Sequence, residues 1–439
     1  MKFLIRWYKI DRKREYSGRN GASRHTKPPK HIHYTPKKIK YQLKGGQVLK
    51  ICFAVCEYNP LHNGHLKHLA AIRREIAPDC VAVIQSGNFT QRGEIALLDK
   101  HTRAKHAILA GADIVFELPA VFSIAPAEVF ATGAVKLLAS VKGEKYLCFG
   151  TESGDKKSIL STAGALSEES KEFRTVMREE LKKGVSQIRA KVNALQRLNA
   201  ENVDFELLKS PNNILGIEYA KAILKLSPET EIFPIRREGA GYHDKTIGNG
   251  DSSASAIREA ILRGEKESVR TSVPPYVFDD LPDKLPDIGE YELFSAIVKD
   301  KKEIAKTLDC TEGLENRIKA FALHSHSYGE LTEKLKTKRY TCTRLNRILL
   351  SSALGIEKTL VRKCLKSPSY LKVLAIRKDR KDLLPYFAEN SSYPLVLRRT
   401  DIRKLEGTAE KSFEKDLLLN SVYNFISGTS IVPTDIVKI

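Results

Sequence analysis

The sequence predicts an α/β protein: a parallel sheet flanked by helices, followed by a mostly helical C-terminal domain. Three observations carry that expectation. An apolar strand around Ile51 to Val55 stops at Asn59-Pro60 and opens into His62-Asn63-Gly64-His65. Short apolar strands then alternate with helical stretches, and beyond Pro274-Pro275 and the run Leu281 to Pro286 helical periodicity takes over. A chain of 439 residues is too long for one compact core. We divide it at residues 1–49, 50–273 and 274–439.

The first 49 residues hold 14 Lys and Arg against 2 Asp and Glu, so twelve of the net +21 charges fall there. This stretch lacks apolar periodicity, contains the Pro28-Pro29 break and reads as disordered. It has no 7–15-residue apolar core of a secretory signal. Three readings stay open: a basic transit-like peptide, a nucleic-acid arm, or a stretch that is not translated. We favour the last, because Lys44-Gly45-Gly46-Gln47 back-translates to a ribosome-binding sequence and Leu49 to a TTG start codon, which puts residues 1–48 outside the native protein.

From Lys50 the elements follow in order. Ile51, Phe53 and Val55 alternate with Cys52, Ala54 and Cys56, and both sets are apolar, so this strand is expected to be covered on both faces, its cysteines buried and not catalytic. A helix is expected over Leu66 to Ile76, strands over Val81 to Ile84, Asp113 to Leu118 and Lys145 to Phe149, and a helix over Lys100 to Ala110. In such a sheet ligands bind at the carboxyl ends of the strands. The fraction of hydrophobic residues, 42%, fills the cores, and no apolar run reaches the ~20 residues of a membrane helix. Seven cysteines without a disulfide framework or a CxxC pair point to a reducing compartment, the cytoplasm.

His62 and His65 stand at the centre of the functional reading. A strand end that opens through a Gly-containing loop into a helix N-terminus offers free backbone N–H groups and a positive dipole end, both suited to phosphate. Two imidazoles can add hydrogen bonds where charge grows in a transition state. Zinc is a poor competitor, because His68 is the only third ligand nearby.

Glu57-Tyr58-Asn59-Pro60-Leu61-His62-Asn63-Gly64-His65, Ser86 to Glu94, Phe149-Gly150-Thr151-Glu152, Ser210 to Gly216 and Gly239 to Asp244 occur in the order of the bacterial tRNA(Met) cytidine acetate ligase family, which the chain resembles over about residues 50–439. That family belongs to the HxGH nucleotidyltransferase superfamily, so the resemblance implies a Rossmann-like sheet of that type. It implies that ATP and acetate give acetyl-adenylate and pyrophosphate, and that the acetyl group then passes to N4 of the wobble cytidine of elongator tRNA(Met). Magnesium would arrive mainly through ATP, with no other metal site and no protein partner. The residues it assigns to ATP are Val55, Cys56, Glu57, Tyr58, Asn59, Pro60, Leu61, His62, Asn63, Gly64, His65, Leu66, Lys67 and His68, then Gly150, Asn212 and Arg237, with His62 and His65 catalytic. Asn213 and Arg236 lie one residue away and compete for the last two roles.

Ser252 to Arg258 resembles the loop that closes over phosphates in this superfamily; read alone it is an N-capped helix. Lys100 and Arg103 are expected either to reach the site or to form an exposed helix face. Between Lys334 and Arg380 there are 14 Lys and Arg against 2 Asp and Glu. Lys336, Lys338, Arg339, Tyr340, Arg344 and Arg347 are expected to form a basic stripe with one aromatic that contacts RNA. Tyr370 to Ile376 reads as a strand and Glu410 to Ile426 as an amphipathic helix. The alternative function, a small-molecule adenylyltransferase, would use the HxGH site but leave the basic stripe without a task.

Overall fold

The computed structural model describes residues 48–167, 170–185, 187–198, 202–237, 252–429 and 436–439. The basic stretch before residue 48 and the Gly239 to Asp244 block lie outside the described residues.

Four expected strands form, β1 Lys50–Cys56, β2 Cys80–Ser86, β3 Ile114–Leu118 and β4 Glu144–Thr151, and a fifth that the sequence pattern did not indicate joins them, β5 Glu231–Arg236. They pair in parallel in the order β5-β4-β1-β2-β3. Phe53, for example, stands opposite Ala82 on one side and Leu147 on the other. Ile51 and Phe53 enter one apolar cluster and Cys52 and Ala54 another, so β1 is covered on both faces. The near-continuous apolar strands are the signature of that double burial.

The chain runs from β1 outward to β3, then returns to place β4 on the other side of β1. The crevice at the carboxyl ends of β1 and β4 is therefore the switch point where ligands of open α/β sheets bind. Those ends carry the Glu57 to His65 loop and Gly150.

Beyond Pro274 the helices Gly289–Val298, Leu314–Ala322, Tyr328–Leu335 and Cys342–Ala353 pack around Leu293, Ile318, Leu331 and Ile348. The chain then comes back to the sheet. β6 Leu371–Ile376 pairs antiparallel with β3, and β7 Leu395–Val396 and β8 Val437–Lys438 pair parallel with β6. Buried Asp113 pins this junction, accepting from Arg73 at 2.6 Å and pairing with Arg377 at 2.8 Å. The helix Gly407–Ser427 closes over the end of β3, where Asp416 Oδ1 accepts from Ala120 N–H at 2.8 Å. Among the described residues no helix is long and apolar enough to cross a membrane.

Candidate active site

His62 is the N-cap of the helix Asn63–Ala71, and the cap uses both histidines. Gly64 N–H donates to His62 Nδ1 at 3.1 Å, and His62 N–H donates to His65 Nδ1 at 3.2 Å. An acceptor Nδ1 places the proton of a neutral imidazole on Nε2. The capping box thus turns two rings, 3.8 Å apart between centroids, into two Nε2–H donors at the positive end of the helix. Tyr58 packs its ring edge on His65 at 4.8 Å.

Burial, followed by the fields of His62, Arg237 and His68, holds His65 well below the usual histidine range. Burial and Arg237 lower His68 to about 4. Neutral imidazoles are what this arrangement needs, since both Nδ1 atoms of the pair must accept. A stability consequence follows. Between pH 6.5 and about 4 the unfolded chain binds a proton at His68 that the folded protein refuses, so stability falls as pH drops through that window, by on the order of 3 kcal/mol in full. The His68→Gln variant should therefore lose less Tm than the parent between pH 7 and pH 5; equal losses would contradict the assignment.

The loop is held from three sides. Asn63 donates from its N–H to Ser272 O at 3.0 Å and from its amide to Thr271 O at 2.8 Å. Asn59 Oδ1 accepts from Leu97 N–H at 2.8 Å, while Arg258 donates to Asn59 O at 2.8 Å and to Glu94 at 3.0 Å. Arg92 reaches Ser255 Oγ at 3.0 Å. The Ser86 to Glu94 and Ser252 to Arg258 blocks thus meet on the histidine loop. Ser253 does cap the helix Ala254–Leu262, accepting from Ala256 N–H at 3.1 Å, and that helix carries Arg258. Motif order brings the Ser86 to Glu94 and Ser252 to Arg258 blocks to the site, but only the fold pairs Arg258 with Glu94 and Arg92 with Ser255.

Gly150 lies in β4 opposite Ile235, and a Cβ there would come within 3.2 Å of Arg237 Cγ and 3.4 Å of its Cδ. Arg237 therefore lies across Gly150, close enough to act on His65 and His68. Arg236, its neighbour along the chain, turns the other way and packs by Gly154. A similar division separates the asparagines. Asn213 is buried and its Oδ1 accepts from Glu152 N–H at 2.9 Å, whereas Asn212, half-buried, donates to Glu152 Oε1 at 2.8 Å. Both asparagines thus hold Glu152 in the loop after β4, Asn213 from a buried position and Asn212 from a half-buried one.

Neither Lys100 nor Arg103 forms an exposed helix face. Lys100 is buried and bonds both carboxylate oxygens of Glu117 at 2.8 Å. Arg103 is fully buried and donates to Leu98 O at 2.9 Å, Glu57 O at 2.5 Å and Gly87 O. It fastens the loops after β1 and β2 from beneath. Burial lifts Glu57 above the usual carboxylate range, and the Gln91 N–H at 2.7 Å pulls it back. Cys56 is held protonated by burial, so it is no nucleophile.

The basic stripe divides in space. Lys336 and Lys338 are exposed on the turn before the helix Cys342–Ala353. Arg339 pairs with Glu312 at 2.7 Å. Tyr340 and Arg344 are buried: Arg344 donates to Asp309 O at 2.8 Å and to Thr311 at 2.9 Å, with its guanidinium 5.3 Å from the Tyr340 ring. Arg347 lies 3.6 Å from Asp309 and donates to Gln91 O at 3.4 Å.

The comparisons agree with this geometry. The profile of the HIGH Nucleotidyl Transferase family matches residues 49–433. The tRNA(Met) cytidine acetate ligase of Acetivibrio thermocellus is 35% identical over 85% of this chain and 94% of its own, and that of Caldicellulosiruptor saccharolyticus 38% identical over 84% and 91%. The crystal structure of Thermotoga maritima TmcAL, apo form, superposes with a TM-score of 0.82 at 31% identity, covering 89% of this chain and 100% of that one. The same enzyme bound with alpha-thio ATP gives 0.80 at 30%, with the same coverage. Two histidines poised as donors at the switch point, clamped by the conjunction of distant blocks, and matches of this extent lead to one conclusion: the chain belongs to the tRNA(Met) cytidine acetate ligase family of HIGH nucleotidyl transferases.

Proposed function

We propose that this protein activates acetate with ATP and acetylates N4 of the wobble cytidine of elongator tRNA(Met). In the first step an acetate oxygen attacks the α-phosphate, and acetyl-adenylate forms as pyrophosphate leaves. In the second the cytidine N4 attacks the acetyl carbon; the N4–C bond forms, the C–O bond to phosphate breaks, N4 loses a proton and AMP departs. The observation that carries this reading is the extent of the relatives' match, which spans more than four-fifths of the chain at 35–38% identity.

The site's chemistry supports it. The Val55 to His68 loop and Gly150 would receive the nucleotide, Asn212 and Arg237 would flank it, and the Nε2–H groups of His62 and His65 would meet charge developing on the phosphates. Aligning acetate with the α-phosphate supplies much of the remaining rate, and no covalent enzyme intermediate is required. Magnesium would come with the nucleotide. Among the described residues no group of three His, Cys, Asp or Glu could hold an ion, so the phosphates would supply most of its ligands.

For tRNA, Lys336 and Lys338 with Arg339 are the phosphate contacts, and Tyr340 and Arg344 build the turn that presents them. Changing Lys336 and Lys338 together to alanine should weaken tRNA binding about tenfold at moderate salt and lower the slope of log K against log salt by about 1.5. An unchanged slope, measured by filter binding across a salt series, would move the interface elsewhere. The fate of ATP tests the reaction. Acetate-dependent exchange of labelled pyrophosphate into ATP supports acetate activation, whereas AMP left on a small-molecule product would support the cofactor adenylyltransferase.

A further inference from the structure

The loop Asn88 to Ile95 folds back on itself, with Thr90 N–H donating to Glu94 O at 2.9 Å, Gly93 N–H to Thr90 O at 3.0 Å, and Phe89 bridging Ile95. Its tip is pressed between two parts of the protein. On one side Gln91 N–H donates to the carboxylate of Glu57, in the loop after β1, at 2.7 Å. On the other side the tip lies directly on the backbone of the helix Cys342–Ala353. A Cβ at Gly93 would fall 2.5 Å from the Asn346 carbonyl carbon and closer still to Arg347 N, and Gly93 has φ +74°. Only glycine allows both that conformation and that approach. Arg347 closes the contact by donating to Gln91 O at 3.4 Å, while Asp309 lies 3.6 Å from its guanidinium. Asn346 is itself held by Tyr328, whose hydroxyl donates to its Oδ1 at 3.1 Å.

The same helix begins one residue after Thr341, at the end of the turn that carries Lys336 and Lys338. Arg347 lies six residues beyond Thr341, about 9 Å along the helix axis. Arg344 anchors the first turn of the helix to Asp309 O and Thr311. The basic turn and the nucleotide loop are thus joined by one short, braced strut, without a flexible linker between them.

We propose that Gly93 and Arg347 are positioning residues for acetyl transfer: their contact sets the register between tRNA held at the basic turn and the adenylate held at the Glu57 to His65 loop. This rests on the function proposed above. The transfer step needs N4 of a macromolecular substrate brought into attack distance of the acetyl carbon, and a misplacement of about 1 Å costs on the order of 100-fold. Formation of the adenylate from two small molecules depends on the clamp of Arg258, Glu94, Arg92 and Ser255 around the histidine loop, with Arg103 beneath it; Arg347 touches that loop through Gln91 O, and Gly93 adjoins it as the chain neighbour of Arg92 and Glu94.

The test separates the half-reactions in the full-length enzyme. Gly93→Ala should push the helix off the loop tip, and Arg347→Gln should release Gln91 O. In Arg347→Gln acetate-dependent ATP–pyrophosphate exchange without tRNA should stay within about threefold of the parent, and in Gly93→Ala, whose neighbours Arg92 and Glu94 hold the clamp, it should fall far less than transfer does. Single-turnover transfer of acetyl to tRNA should fall about 30–100-fold, with the KM for tRNA within about threefold. Gly184→Ala is the control for strain alone, since Gly184 has φ +81° with nothing within 4 Å of its Cβ position; it should leave both steps intact. A variant that lost exchange and transfer together, or neither, would overturn the positioning role, as would a loss confined to KM. Failure of the functional reading would look different: the parent itself would transfer no acetyl group to tRNA.

Discussion

Replacing His65 with alanine is expected to lower acetate-dependent ATP–pyrophosphate exchange by about 100–1,000-fold while leaving tRNA affinity unchanged. The argument is geometric. His65 accepts the His62 N–H through Nδ1, so its only proton sits on Nε2, and burial keeps the ring neutral well below pH 6.5. A donor already oriented by the backbone needs no reorganisation as charge builds on the α-phosphate. The same neutrality means that His65 itself should add no limb near pH 6.5 to the exchange profile. Loss of His65 also opens the capping box, because His62 N–H loses its acceptor; His65→Asn should restore part of the cap but not the donor's position. Exchange at the parental rate in His65→Ala would remove this residue from the chemistry.

The second large effect is expected at Arg103. Arg103→Ala deletes a fully buried guanidinium and orphans the carbonyls of Leu98, Glu57 and Gly87. Each buried acceptor left without a donor costs about 1–3 kcal/mol, so a loss on the order of 4 kcal/mol is expected once some water enters. Chemical denaturation reads it directly. All three carbonyls belong to the loops after β1 and β2, so exchange should fall too, even where the variant remains folded. Arg103→Lys keeps the charge but has one donor centre where three separate carbonyls need serving, and should recover less than half of the lost stability. A variant as stable as the parent would mean that these carbonyls find other partners.

The parts of the fold legible in the sequence are those encoded by local pattern. The doubly apolar run of β1, the break at Asn59-Pro60 and the histidine pair lie within 15 residues, and the short strands after them follow the same logic. What eluded the pattern was set by contacts between distant segments. Lys100, Arg103, Arg344 and Arg347 look like surface cations because the sequence displays their charge and not their partners, several of which are backbone carbonyls from remote loops. The antiparallel docking of β6 on β3 joins residues some 250 positions apart, with Asp113 as the buried hinge of the junction. The structure turns Arg236 and Arg237 apart relative to Gly150, and it sets both Asn212 and Asn213 on Glu152, the one through its amide and the other through its buried Oδ1. One-residue registers of this kind need the pairing of β4 with β5, which a sequence states only indirectly.

The central claim is that an adenylate-forming site and a tRNA-binding turn serve one reaction. It is tested most directly by incubating the protein with ATP, magnesium, isotopically labelled acetate and unmodified elongator tRNA(Met), then digesting the tRNA and analysing its nucleosides by mass spectrometry. Labelled N4-acetylcytidine at the wobble position is the predicted product, with AMP and pyrophosphate released in equal amounts. Consumption of ATP with no label in the tRNA would contradict the account and turn attention to a small-molecule acceptor of AMP.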